Sequence, residues 1–261
     1  MNPDVILKNM TEDFGWINQP IKEIADIVSQ DPQNMTFAWG VIQNIYNIML
    51  PLGYALIALF FIMEFLKYST DFHQISMEKT VSLLLKLVIA KLVMDNSFEL
   101  LMAIFKLTNG MLASMNVSVS MPAFDIETLR STIEAMDFFE RMFYALRMMW
   151  FGLIMGICKI IIDVIIYGRF IELFILVAFA PIPLSGIASG ELSPSAKRYL
   201  QEFSAVCLQG MVMVGVVMIY GGIVQQYFVS DWGVAKMNVS AILLVMMLFK
   251  SGSIARRLTG A

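Results

Sequence analysis

Lys91, Asp95 and Glu99 stand four residues apart in turn within a mostly apolar run, and Lys106 follows close to the same stripe. On a helix this spacing puts them on one face. Charges inside an apolar span usually face a bundle interior or an aqueous cavity. Two roles are open to them: lining a translocation path, or pairing between helices or subunits, and pairing is the plainer. Lys159 and Asp163 form a second pair four residues apart, most simply a salt bridge within one helix. Arg169 and Glu172 flank the entry to "FILVAFAPIPLSGIASG" and are expected to anchor it at the membrane interface. Pro181, Pro183 and Gly186 interrupt that apolar run. Proline removes an amide donor and clashes with the preceding turn, so a broken helix is expected over 170–190. Gly152 and Gly156 make a GxxxG, which allows close approach of helices.

Nothing else in the chain suggests catalysis. No serine, cysteine or histidine is flanked as a nucleophile and its base would require. His73 is the single histidine, so a His-rich metal site is not expected. Cys158 and Cys207 lie in apolar runs and read as buried thiols, not as a disulfide framework. Glycine patterns for phosphates or dinucleotides are missing, and so are basic patches with interleaved aromatics. The expectation is a protein that is not an enzyme and carries no cofactor.

The elements that must position these residues are membrane helices. The 261 residues are 58% hydrophobic and 15% charged, against about 25% charged in soluble domains. Mean hydropathy is +0.72. The net charge of −3 offers no bulk attraction for nucleic acid. Crossing the hydrocarbon core takes about 20 apolar residues. Residues 32–63 contain no charge, and "VIQNIYNIMLPLGYALIALFFIM" is the first span, with a kink expected at Pro51. "FGLIMGICKIIIDVIIYG" lies in a span from about 143 to 168, "AVCLQGMVMVGVVMIYGGIV" makes a later one, and "VAKMNVSAILLVMMLF" the last, with Lys236 and Lys250 placed to snorkel. Residues 81–107 are marginal. Their Leu, Ile, Val and Phe side chains favour insertion by about 5 to 9 kcal/mol, and Lys91, Asp95 and Glu99 oppose it by about 8 to 10 kcal/mol. This helix would cross only if its charges found partners.

The expected fold is an all-α integral membrane protein with about five transmembrane helices plus one re-entrant or proline-broken helix. Its segments are 1–38, external and amphipathic, with Ile21, Ile24, Ile27 and Val28 on one stripe; 39–107, the first two spans; 108–140, an external acidic region with Asp125 as a helix N-cap; 141–250, a C-terminal bundle holding the broken helix 170–190; and 251–261, a basic tail. No cleavable signal is expected, because the first 38 residues hold six acids and two lysines. Lysine and arginine accumulate in cytoplasmic loops. If 170–190 enters and returns, Lys197, Arg198, Arg256 and Arg257 all lie inside, which satisfies that rule with the N-terminus external and the C-terminus cytoplasmic. Irregular backbone at membrane depth must be covered by protein or face water, so the broken stretch should sit against neighbouring helices.

The layout, with "GRFIELFILVAFAPIPLSGI", "KRYLQEFSAVCLQGMVMV" and "SGSIARRLTGA" in its C-terminal half, resembles the TrbL-like polytopic subunit of conjugative type IV secretion systems. The likeness is carried by residues 140–261, and by layout alone in the first half. It implies a channel or platform subunit of the bacterial cytoplasmic (inner) membrane that helps carry single-stranded DNA with its bound relaxase. Implied partners are further copies of the chain in a homo-oligomeric ring, other secretion membrane subunits, ATPases that supply the energy, membrane lipids, and the DNA–relaxase substrate in transit; stable nucleic-acid binding by the chain alone is not expected. Two other classes compete. A self-contained secondary transporter usually shows paired broken helices in two repeats, and only one such segment is present. A structural scaffold without a conduit is indistinguishable by sequence.

Overall fold

The computed structural model describes residues 27–28, 30, 32–70, 77–115, 131, 135–189, 193–227 and 234–261. Among these residues there is helix and no strand. After a short 3-10 turn at Pro32–Asn34 come α1 (Thr36–Thr70), α2 (Met77–Asp95), α3 (Ser97–Ser114) and α4 (Phe138–Phe179). A single turn, α5 (Pro181–Leu184), leads into a 3-10 turn at Ser185–Ala188, then α6 (Ser193–Tyr227) and α7 (Val234–Thr259). Three described stretches are long and apolar enough to cross a membrane: Thr36–Lys67 in α1, Ser193–Ile223 in α6 and Val239–Thr259 in α7.

Local chemistry accounts for the boundaries. α1 continues as helix through Pro51. The segment expected as one helix over 81–107 is divided at Asn96. There the Asn96 amide donates to the Leu92 carbonyl at 2.8 Å and the Ser97 hydroxyl to the Met94 carbonyl at 2.8 Å. Short polar side chains compete with the backbone for its own partners and so interrupt a helix. Asp137 precedes the first residue of α4; its carboxylate accepts from the Phe138 N–H, while Glu140 reaches back to the Asp137 N–H at 3.2 Å. That return contact is half of a capping box. The proposed N-cap Asp125, the Ile21 and Ile24 part of the amphipathic stripe, and most of 108–140 beyond Met115 lie outside the described residues. α7 continues through the basic segment, which is helical to Thr259 and not a loose tail.

α4 differs most from expectation. It is one helix of 42 residues, about 63 Å long at 1.5 Å per residue, where a span ending near Gly168 and a separate broken element were expected. Gly168 and Arg169 lie within it. No proline falls between 138 and 179, so nothing removes a donor until Pro181.

The chain divides into two compact units. One comprises Met1–Ser29, Leu112–Gly168 and Gly210–Gly252; the other comprises Gln30–Met111, Arg169–Gln209 and Ser253–Ala261. In the first, Met155, Cys158, Ile162 and Ile166 of α4 are buried at helical spacing, as are Met213, Val214 and Val217 of α6 and Ala241, Leu244 and Leu248 of α7. The buried Tyr220 hydroxyl donates to Ser240 at 3.0 Å. Ile157, Ile160 and Val164 on α4 stay exposed. A helix that is apolar all round suits a membrane setting. In the second unit, a continuous core joins Trp39, Ile42 and Tyr46 of α1, Met94 of α2, Leu101 and Phe105 of α3, Val177 of α4 and Phe203 of α6.

Candidate functional site

All contacts of the site lie in the second unit, and its centre is the proline-broken element. Pro181 and Pro183 have no N–H, so the ladder ending α4 loses two regular donors. Ala180 N–H instead bonds Val177 O at 3.4 Å, and Leu184 N–H bonds Ala180 O at 3.2 Å. The backbone remains right-handed helical at Ala180, Leu184 and Ser185, and only Ser189 turns extended. The prolines therefore convert the helix end into one α-turn and one 3-10 turn; a non-helical turn was expected. Pro181, Leu184, Ser185 and Gly186 are buried, and the element packs on α1 and α2. Gly53 of α1 makes that approach feasible. A Cβ there would lie 2.8 Å from the Pro181 Cβ and 3.0 Å from the Pro181 carbonyl oxygen. Glycine allows such backbone proximity. The close approach in this unit is thus at Gly53, which no motif marks. Gly152 and Gly156, the GxxxG pair, lie half-buried on α4 in the other unit.

Arg169 is only 4% exposed. Its Nε donates to the Val206 carbonyl at 3.1 Å and its Nη2 to the Cys207 carbonyl at 3.3 Å, which ties α4 to α6. Its guanidinium also stands 5.5 Å from the Phe170 ring centroid. The fork of donors suits two successive carbonyls, each with a lone pair beyond its helical bond. An interfacial anchor was expected of Arg169; burial against α6 makes it an internal tie. Glu172 accepts from Arg256 Nη2 at 2.8 Å, while Arg256 Nε reaches Glu202 at 2.9 Å. One arginine from the basic segment thereby joins α4, α6 and the end of α7. The Tyr199 hydroxyl adds a bond to Leu176 O at 2.8 Å.

The polar face is divided in the same way. Asp95 accepts a hydrogen bond from the Tyr54 hydroxyl of α1 at 2.5 Å. Next to it Tyr46 bonds Ser97, which is wholly buried. Lys91, Glu99 and Lys106 are exposed. Lys86 and Glu64 form an ion pair at 2.9 Å between α2 and α1. Sequence reasoning missed Tyr46, Tyr54 and the Glu64–Lys86 pair. Two tyrosines eight apart inside an apolar run were the available signal. Lys159 and Asp163 are both half-buried on α4 in the other unit. Cys158 and Cys207 are free and buried, and no group of metal ligands occurs among the described residues.

The family profile described as TrbL/VirB6 plasmid conjugal transfer like protein matches residues 17–181, more than half of the chain. The chain belongs to this family. The TrbL/VirB6 match ends at Pro181, at the start of the broken element, and takes in Lys91, Asp95, Glu99, Lys159, Asp163, Arg169 and Glu172. It therefore covers the half in which only the layout carried the resemblance, and leaves most of the C-terminal motifs outside. Curated proteins and solved structures give no match. A TrbL/VirB6-type protein with apolar helices of membrane length is a membrane subunit of a conjugal transfer, type IV secretion system.

Proposed function

We propose that this chain is a channel or platform subunit of the conjugation apparatus in the bacterial cytoplasmic membrane. It helps move single-stranded DNA with bound relaxase across that membrane. The observation that carries this reading is the TrbL/VirB6 match over 17–181. Five membrane crossings are assigned to α1, the α2–α3 pair, α4, α6 and α7, with the N-terminus external and the C-terminus cytoplasmic. ATPases of the same apparatus supply the energy, since the chain carries no nucleotide motif.

The exposed charges of α2 and α3 support a homo-oligomer. A lysine or carboxylate facing hydrocarbon costs about 2.5 to 3.5 kcal/mol. Lys91 and Glu99, exposed on a single chain, are better placed against another subunit or water. The broken element, covered by α1 and α2, meets the requirement that irregular backbone at membrane depth be shielded. Native mass spectrometry of the detergent-purified chain should give a closed ring of fixed copy number. In cells lacking the native gene, Lys91→Leu with Glu99→Leu should depress DNA transfer to background. A stable monomer, or full transfer by the double variant, would overturn the proposal. A ring that supports transfer yet passes no ions or DNA in proteoliposomes would identify a scaffold in place of a conduit.

A further inference from the structure

A cavity of about 450 Å³ opens beside the first turns of α6, where the end of α7 meets it. Its floor is apolar and consists of Ile187, Ala196 and Leu200. Ser193, Lys197 and Ser204 of α6 also line it, and Thr259 contributes from α7. Gln201 donates from Nε2 to the Thr259 carbonyl at 3.2 Å. Among the described residues no carboxylate lines the cavity. Glu172 and Glu202, described acids of the neighbouring segments, are both engaged by Arg256. Lys197 is exposed and, among the described residues, has no carboxylate partner. Arg198 and Arg257 are also exposed, and they add positive charge near the site.

An apolar trough beside an exposed lysine has two requirements of a ligand. It must bring a negative group to Lys197 and hydrocarbon to the trough. We propose that the cavity binds one anionic phospholipid of the cytoplasmic leaflet. The phosphate meets the Lys197 ammonium and the Ser193 hydroxyl, and an acyl chain lies along Ile187, Ala196 and Leu200. Basic pockets between membrane helices on the cytoplasmic side suit such head groups. Free phosphate would leave the trough facing water, and a zwitterionic lipid would bring its own cation towards Lys197. The bound lipid would bridge the 3-10 turn, α6 and α7, and so clamp the broken element to the basic segment. This inference rests on the orientation proposed above, with Lys197 at the cytoplasmic surface.

The test is thermal unfolding of the full chain in detergent micelles doped with dioleoylphosphatidylglycerol or dioleoylphosphatidylcholine. The phosphatidylglycerol should raise Tm saturably and the phosphatidylcholine should not. Lys197→Gln should weaken the apparent affinity about tenfold, the loss of one charge-assisted contact. Arg198→Gln, which removes the same charge outside the cavity, should change it less than about twofold. Ser193→Glu, which adds a carboxylate to the lining, should abolish the response with the lipid-free Tm unchanged. Equal losses for Lys197→Gln and Arg198→Gln would reduce the effect to diffuse surface charge and overturn the site. Equal stabilisation by inorganic phosphate would overturn the lipid assignment. Orientation is read separately by labelling Ser195→Cys in intact cells. A cytoplasmic Ser195 with no lipid response therefore rejects the site alone, and an external one with the lipid response intact rejects the orientation and the cytoplasmic leaflet while keeping the site.

Discussion

Gly53 sets how closely α1 meets the broken element, and it offers a sharp test at the residue scale. A methyl group there would meet the Pro181 Cβ at 2.8 Å and its carbonyl oxygen at 3.0 Å, so backbone would have to move. Overpacking of this kind costs about 1 to 3 kcal/mol, against a helix-propensity gain of about 1 kcal/mol for Gly→Ala. Gly53→Ala should therefore lower Tm in detergent. Gly40→Ala on the same helix, where a Cβ meets nothing within 4 Å, should leave it unchanged or raise it. Equal effects at both positions would refute the close approach. The Tyr54–Asp95 bond gives a second test. Tyr54→Phe removes the donor and leaves the exposed carboxylate short of a partner, at a cost of about 0.5 to 1.5 kcal/mol. Asp95→Asn keeps an acceptor for the tyrosine and should be the milder change in thermal unfolding. The reverse order would show that the carboxylate draws its stabilisation elsewhere.

At the scale of elements, the end of α4 is where the prolines act. Each costs about 3 kcal/mol in a helix interior, yet this backbone stays helical to Ser185 and turns extended at Ser189. Replacing Pro181 and Pro183 together by alanine would restore two amide donors and lengthen α4 towards α6. The displaced turn would lose its packing on α1 and α2. Expression should persist while labelling of Ser195→Cys changes and DNA transfer falls to background. Unchanged labelling and transfer would make the prolines a tolerated irregularity. The break itself was legible, because proline chemistry is local. What precedes it was not: one 42-residue helix runs through Gly168 and Arg169 up to the break, and apolar composition does not tell one long helix from two short ones. Likewise Asn96 and Ser97 divide α2 from α3 through side-chain bonds that hydropathy alone does not register.

For the whole molecule, the orientation is the prediction with the widest reach. With Cys158 and Cys207 replaced, a single cysteine at Ser195 should react with a membrane-impermeant maleimide only after permeabilisation, and one at Asp137 should react in intact cells. External labelling at Ser195 would place Lys197 and Arg198 outside and overturn the re-entrant arrangement. The sequence by itself determined the helical membrane class, the family resemblance and the special nature of 170–190, since composition, hydropathy and proline act without reference to distant residues. Only the tertiary structure decided which charges meet. Asp95 pairs with Tyr54, Arg169 with carbonyls of α6, and Arg256 with Glu172 and Glu202. Spacing of three or four residues orders the partners on one helix, but these partners are between 37 and 84 apart in the chain. They come together through helix packing, which depends on close approaches such as Gly53 on Pro181 that no pattern along the chain encodes.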